Sequence, residues 1–242
     1  MSSLGLRPGH SRLLQLARLD ERITRNFGEM CLTGAVFLDV AKAFDTVWID
    51  GLFYELTLLN FPSYIVHTSS PYLRGRMFEA SFLTSTPSRR DIRTGVSQVG
   101  LISPVLFSIY INDMSSPSHY VELALCADDT AIITTSRNPT LLVSYLESYV
   151  NELQRWLSEW RIAINVSKAT AIIFVRAGWL FVEPRPVKLF REPIQWVDTT
   201  RYLRVTLNKR LTWSPQIDQV RKKLFKEWPC WVPSLIGRVI SP

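Results

Sequence analysis

Two adjacent aspartates, Asp128 and Asp129, lie between the apolar runs ELALCA and TAIITT, where burial should be greatest. Aspartate is a poor strand former, and two neighbouring carboxylates repel each other. If the two runs pair as a β-hairpin, both aspartates lie at its turn, which aspartate tolerates well. The apolar run GAVFLDV carries a third carboxylate, Asp39, and its strand is a natural neighbour in the same sheet. The pattern therefore predicts carboxylates that converge at one edge of a sheet.

A carboxylate cluster of this kind stays ionised only when a cation neutralises it. Carboxylate oxygens suit Mg²⁺ or Mn²⁺, which take their remaining ligands from water and substrate phosphates. Two such ions about 4 Å apart can activate an attacking oxygen and stabilise a leaving oxygen during phosphoryl transfer. The alternative is a turn with two solvated side chains, and an Asp-Asp dipeptide taken alone favours that alternative.

The composition limits the class of protein. The chain has 242 residues, 47% of them hydrophobic, which is enough for one or two globular domains with a real core. A net charge of +7 favours a polyanionic partner, although many basic proteins bind no nucleic acid. The sequence contains no run of 18 uncharged apolar residues and no apolar signal core near its N-terminus. We therefore expect an intracellular protein with no membrane partner, and three scattered cysteines suit a reducing compartment.

Helical and strand patterns alternate along the chain. Apolar residues recur at helical spacing in several ranges: 11–24, 41–59, 63–73, 103–114 and 142–160. Strands are expected at GAVFLDV, at MFEASF, at the two runs beside the aspartates, and at three or four places within 169–207. A last helix is expected from about Trp213. The aromatic residues of the long helix, Tyr149, Trp156 and Trp160, lie on its apolar face and are interpreted as core. Interleaved helices and antiparallel strands are typical of an α+β fold.

Five segments resemble, in order, the motifs of the reverse transcriptase domain of non-LTR (LINE-like) retrotransposons, most nearly the jockey-type elements of insects. The segments are FLDVAKAFDTVW (37–48), GVSQVGLISPVLFSIYINDM (95–114), CADDTAIIT (126–134), WRIAINVSKATAIIF (160–174) and RYLRVTL (201–207). One such motif could arise by chance, whereas five in order with ordinary spacing indicate common ancestry.

The resemblance implies an α+β polymerase palm, in which helices pack on one face of an antiparallel sheet. It divides the chain into a residual fingers segment (1–36), a palm with embedded fingers elements and primer-grip-like strands (37–207), and the start of a truncated thumb (208–242). The implied activity is RNA-directed DNA synthesis, with two-metal transfer of dNTPs onto a DNA primer along an RNA template. The implied cofactor is Mg²⁺, with Mn²⁺ as the alternative. The sequence leaves the preferred template and the oligomeric state open.

The resemblance also implies roles for individual residues around the carboxylates. Asp39 and Asp128 would hold both metal ions. Asp129 would support them, and the backbone carbonyl of Val40 would be a further ligand. Lys168 would lie near the triphosphate as a proton donor to the leaving pyrophosphate. The alternative for Lys168 is a solvated lysine.

Other residues would contact the nucleotide or the nucleic acid. Phe44 matches the steric gate that excludes a 2′-hydroxyl, with a core aromatic as the alternative. Gln98 would contact the incoming nucleotide and the template. Contacts with nucleic acid are expected from residues beside the nucleotide-binding segment and in the primer-grip-like segment: Arg89, Arg90, Arg93, Arg201 and Tyr202.

Some residues depart from the family pattern. Val99 and Arg204 stand where the family has glycine, and Cys126 replaces an aromatic residue. The chain is also expected to begin partway through the fingers and to end early in the thumb. These departures support a second hypothesis, an inactive retrotransposon remnant that keeps the palm fold and at most weak nucleic-acid binding. The complete aspartate set favours the active polymerase. A third hypothesis, an unrelated Mg²⁺ phosphohydrolase, lacks an identifiable water-activating base.

Overall fold

A computed structural model of the chain describes residues 12–40, 43–80, 88–92, 94–96, 102–114, 118–126 and 129–227. The helices among these residues are α1 (Arg12–Gly28), α2 (Ile49–Leu58), α3 (Ser63–Leu73), α4 (Ser103–Tyr110), α5 (Pro139–Glu159) and α6 (Ser214–Glu227), with a short 3₁₀ helix at Val166–Lys168. The strands are β1 (Leu32–Asp39), β2 (Arg76–Ala80), β3 (Ser88–Ile92), β4 (Val121–Cys126), β5 (Asp129–Ser136), β6 (Thr170–Phe174), β7 (Val187–Leu189), β8 (Glu192–Ile194), β9 (Thr199–Tyr202) and β10 (Val205–Asn208). Within the described ranges, every helix is too short or too polar to cross a membrane.

Four antiparallel strands form the central sheet in the order β4-β5-β1-β6. The central strand β1 has apolar or small residues at nearly every position, and all of its side chains except Asp39 are buried. Such a continuous apolar strand requires cover on both faces of the sheet.

The main helical layer covers one face of this sheet. The apolar stripe of α5, which includes Leu142, Leu146 and Leu153, packs over β1, β4 and β5, and α2 and α4 extend the same core. Gly34 allows this close approach, because a Cβ atom there would lie 2.4 Å from Leu142 Cδ2. As expected from the sequence, Tyr149, Trp156 and Trp160 are buried in this layer.

The opposite face is covered by α1 and by the β9–β10 hairpin. Leu19 and Ile23 of α1 pack on Phe37 and Ile133 of the sheet, and Tyr202 of β9 joins the same cluster. The sequence analysis did not predict which elements cover this second face of the sheet. The sheet is therefore held between a helical layer and a smaller mixed layer.

Two details of the predicted elements were wrong. The helix expected over 41–59 begins only at Ile49, and the described residues before it form a turn. The carbonyls of Phe44 and Val47 instead accept hydrogen bonds from the backbone of Val96 and Gly95. The region 169–207 contains five strands, where three or four were expected, because two short hairpins, β7–β8 and β9–β10, follow β6. The boundaries at 36 and 207 stay a prediction.

Candidate active site

Asp39 and Asp129 lie side by side at one edge of the sheet. Asp39 ends β1, Asp129 begins β5, and the two residues are direct partners in the antiparallel register. β4 and β5 pair as the predicted hairpin, with Cys126 opposite Asp129. Asp128 lies outside the described residues. The structure therefore brings together the two members of the predicted carboxylate set that it describes.

Lys168 lies against the same edge, although it is 129 residues from Asp39 in the chain. Its Nζ is 3.2 Å from Asp39 Oδ2. The preceding segment is fixed to the end of β1, since the backbone N–H of Asn165 donates to the Asp39 carbonyl at 3.2 Å and Val40 pairs with Ile164. Backbone pairing thus determines where the lysine emerges, and the exposed ammonium remains free to reorient because its side chain is 66% exposed.

The donor chemistry of this edge suits a hard divalent cation. The Asp39 carboxylate already attracts one positive charge, the Lys168 ammonium, at the position where a metal ion would bind. Oxygen donors from Asp39, Asp129 and the carbonyl of Val40 are of the type that Mg²⁺ and Mn²⁺ prefer. Among the described residues, no three acidic, histidine or cysteine side chains converge on one point. The residues present fit a divalent metal that takes further ligands from the substrate.

Phe44 lies in the loop between β1, which ends at Asp39, and α2. We call the end of the sheet that carries Asp39 and Asp129 the carboxylate edge. The Phe44 ring is partly buried, with its centroid 5.3 Å from that of Phe107. The backbone of Gly95 and Val96 runs along this loop, and their N–H groups donate to the carbonyls of Val47 at 2.8 Å and Phe44 at 2.7 Å. The ring contacts the core, while its loop contacts the segment that begins at Gly95, so the steric-gate role of Phe44 stays a prediction. Gln98 and Val99 lie outside the described residues.

The expected nucleic-acid contacts have different outcomes. Arg201 is exposed on β9, so its predicted contact stays a prediction. Tyr202 is only 2% exposed, and its ring centroid lies 4.7 Å from that of Phe37. This burial contradicts the predicted contact of Tyr202 with nucleic acid, because alternation along β9 turns its ring inward. The side chains of Arg89 and Arg90, and all of Arg93, lie outside the described set.

The environment of Tyr202 ties the β9–β10 hairpin to the carboxylate edge. Burial raises the pKa of the Tyr202 phenol, and the nearby Cys126 and Asp129 raise it further. The phenol is therefore neutral, and its hydroxyl has no hydrogen-bond partner among the described residues. The Tyr202 ring packs in one apolar cluster with Phe37 of β1 and Cys126 of β4, beneath the β4–β5 hairpin.

Sequence reasoning missed Asn165 and the role of Gly95. Asn165 begins the turn that presents Lys168, and its Oδ1 accepts a 2.6 Å hydrogen bond from Ser167 Oγ. An asparagine three residues before the lysine is a turn signal that could have been used. Gly95 has a φ of +84°, and a Cβ atom there would lie 2.6 Å from the Asp45 carbonyl oxygen. A close approach of two backbones leaves no signal beyond the glycine itself.

A four-stranded antiparallel sheet with carboxylates at adjacent strand ends and a helical layer beneath defines a polymerase palm. The comparison with protein families makes this class more specific. The chain belongs to the reverse transcriptase (RNA-dependent DNA polymerase) family, whose model matches residues 2–207.

Curated relatives confirm the resemblance to jockey-type elements. The chain is 30% identical over 229 residues to the probable RNA-directed DNA polymerase from transposon BS of Drosophila melanogaster, covering 92% of this chain and 25% of that protein. It is 31% identical over 194 residues to the RNA-directed DNA polymerase from mobile element jockey of Drosophila melanogaster, covering 77% of this chain and 21% of that protein. The chain thus spans a quarter or less of the length of these relatives.

Solved structures confirm the α+β palm. A telomerase from Candida albicans, in complex with a fragment of telomeric RNA, superimposes with a TM-score of 0.60 at 10% identity, covering 86% of this chain and 35% of that chain. Apo telomerase from Candida tropicalis gives a TM-score of 0.55 at 11% identity, covering 82% and 36%. At such low identity the similarity shows the fold alone.

Proposed function

We propose that this chain is the catalytic part of a non-LTR retrotransposon polymerase, which transfers dNTPs onto a DNA primer along an RNA template. The observation that carries the proposal is the register pairing of Asp39 with Asp129, with Lys168 beside them. Family membership supports metal binding at this edge, since reverse transcriptases generally depend on a divalent metal.

The proposed cofactor is Mg²⁺, with Mn²⁺ as the alternative. Asp39, Asp128, Asp129 and the backbone carbonyl of Val40 are the proposed ligands. A metal pair held there would supply activation of the primer hydroxyl and would offset charge on the leaving pyrophosphate.

The chain's own residues position the reactants. The β1–β5 register places the backbones of Asp39 and Asp129 opposite each other, so the fold itself brings the two carboxylates to one place. In this proposal Lys168 gives a proton to the leaving group and Phe44 excludes a 2′-hydroxyl.

The proposed partners are an RNA template, a DNA primer and dNTPs. Three observations support nucleic acid: the net charge of +7, the names of the relatives, and the RNA fragment bound to the Candida albicans telomerase. An intracellular location belongs to the same proposal, because RNA templates and dNTPs occur there.

Primer extension on poly(rA) with an oligo(dT) primer and Mg²⁺ tests the proposed activity. Asp39→Asn should reduce extension by about 10³-fold, because it removes a charge that neutral oxygen donors do not replace. Asp198→Asn is the matched control, since Asp198 is exposed and pairs with Lys209 at 2.7 Å, away from the carboxylate edge. Folded wild-type protein that fails to extend the primer would support the inactive remnant instead.

A further inference from the structure

Arg76, the first residue of β2, binds the backbone of two separate segments. Its Nε donates to the carbonyl of Leu73 at 3.2 Å. Its Nη2 donates to the carbonyls of Thr94, at 3.3 Å, and Gly95. One half-buried guanidinium thus joins the end of α3 to the start of the GVSQ motif.

The strand pairing explains why Arg76 reaches this segment. Arg76 is the register partner of Ile92, the last residue of β3. Thr94 and Gly95 follow two and three residues after Ile92, so the chain leaves β3 beside the arginine. The position at the head of β2 therefore places the guanidinium where the nucleotide-binding motif begins.

The segment held by Arg76 in turn holds the loop that carries Phe44. The N–H groups of Gly95 and Val96 donate to the carbonyls of Val47 and Phe44. Gly95 packs directly against the backbone of Asp45, and Val96 is buried. A continuous set of contacts therefore runs from Arg76 through Gly95 to Phe44, and Gln98 follows two residues after Val96.

The contacts need an arginine. The carbonyl of Leu73 ends α3 and lacks an intrahelical partner, so a permanently charged donor is favoured there. Only a planar guanidinium can serve this carbonyl and two others from one fixed fork, whereas an ammonium is a compact charge on a flexible stem.

We propose that Arg76 is a positioning residue for the nucleotide pocket, because it fixes Thr94–Val96 against the Phe44 loop. The expected consequence of this contact is tighter binding of the incoming dNTP, and that consequence rests on the proposed function. The hydrogen bonds of the Arg76 side chain to described residues all end on backbone carbonyls.

Backbone hydrogen exchange tests the contact without any turnover. Arg76→Gln and Arg76→Lys should each speed exchange at the amides of Gly95 and Val96 by roughly tenfold, because charge-assisted hydrogen bonds to the segment are lost. Arg74→Gln is the matched control, since the neighbouring Arg74 is 57% exposed and pairs with Asp50. Exchange at β1 and β5 should stay unchanged in all three variants. Wild-type exchange at Gly95 and Val96 in Arg76→Gln would overturn the proposal.

Equilibrium binding of dTTP to the protein on a template–primer, with Ca²⁺ in place of Mg²⁺, tests the consequence. The dissociation constant should rise about tenfold in Arg76→Gln and stay unchanged in Arg74→Gln. Faster exchange with unchanged dTTP affinity, or no dTTP binding by the wild type, would overturn the positioning role. A wild type that binds dTTP tightly and fails to extend a primer in Mg²⁺ would instead overturn only the polymerase activity.

Discussion

Phe44 is a residue at which packing and selectivity can be separated by experiment. Its ring contacts Phe107, while its carbonyl accepts a hydrogen bond from the N–H of Val96. Phe44→Val keeps the backbone contact and removes most of the ring, so it should raise incorporation of ribonucleotides relative to deoxyribonucleotides by at least about tenfold. The ratio of kcat/KM for the two nucleotides measures this change.

The matched control for Phe44 is Phe53→Val, which removes a partly buried ring from the same core at a position on α2. It should reduce stability without changing sugar selection. Equal selection in Phe44→Val and in the wild type would assign Phe44 to the core alone.

Lys168 is a second residue whose predicted chemical role can be measured. Its ammonium lies 3.2 Å from Asp39 Oδ2, and the site is exposed, so the pair adds little to stability. Lys168→Ala should lower kcat for extension by about a hundredfold or more if the lysine protonates the leaving group. The unfolding midpoint should change little.

Lys209→Ala serves as the control for the loss of one lysine from an exposed pair, since Lys209 binds Asp198 at 2.7 Å. Equal kcat values for the two variants would remove the proton-donor role. Single-turnover rates with saturating primer and dNTP separate this effect from a change in binding.

At the scale of elements, the β9–β10 turn is strained by its own sequence. The hairpin closes over two residues, Leu203 and Arg204, whose φ angles are +49° and +69°. Two-residue turns with positive φ at both positions strongly favour glycine or asparagine. Arg204→Gly should therefore raise the free energy of unfolding by about 1 kcal/mol, as measured by urea titration.

Arg201→Gly provides the opposite case in the same hairpin. Arg201 is exposed and extended in β9, so glycine there should lower stability by about 0.5–1 kcal/mol. A loss of stability in both variants would show that the side chain of Arg204 contributes more than its backbone strain costs.

The elements also show what a sequence can predict. Apolar periodicity was enough for the long helix α5 and for the β4–β5 hairpin, because each buries one continuous set of side chains. The late start of α2 could not be predicted, because it depends on hydrogen bonds from Gly95 and Val96, about fifty residues further on. The burial of Tyr202 was missed for a related reason, since it follows from the position of the hairpin under Phe37.

At the scale of the whole molecule, the order of the strands creates the site. β1 lies between β5 and β6, so residues from three distant motifs meet at one edge of the sheet. The aspartates could be predicted as neighbours from the hairpin alone. The contact of Lys168 with Asp39 requires β6 as the other neighbour of β1, which no local pattern specifies.

The same core that builds the site also encloses one carboxyl group away from it, that of Glu55, and the exposed Asp113 lies nearby. Glu55 of α2 is 2% exposed, and its Oε1 has no partner among the described residues. Burial raises the pKa of Glu55, and the nearby Asp113 raises it further. Partial desolvation raises the pKa of Asp113 as well, although a 3.2 Å hydrogen bond from Trp156 Nε1 opposes the shift. Both groups therefore hold their protons to a higher pH in the folded protein than in the unfolded chain.

Because of this difference in pKa, the free energy of unfolding should fall as the pH rises. A carboxyl group whose pKa is raised by folding contributes fully to the free energy of unfolding below its ordinary pKa. This contribution is lost as the pH rises through the pKa of the group in the folded protein. Glu55→Gln replaces the carboxyl group with a neutral isostere, so the variant should gain stability relative to the wild type between pH 5 and pH 8. Urea titrations at the two pH values measure the change, and Glu152→Gln, at an exposed position on α5, controls for the altered net charge. A difference between Glu55→Gln and the wild type that stays constant with pH would mean that Glu55 is ionised within the core, with its charge offset by groups that burial alone does not reveal.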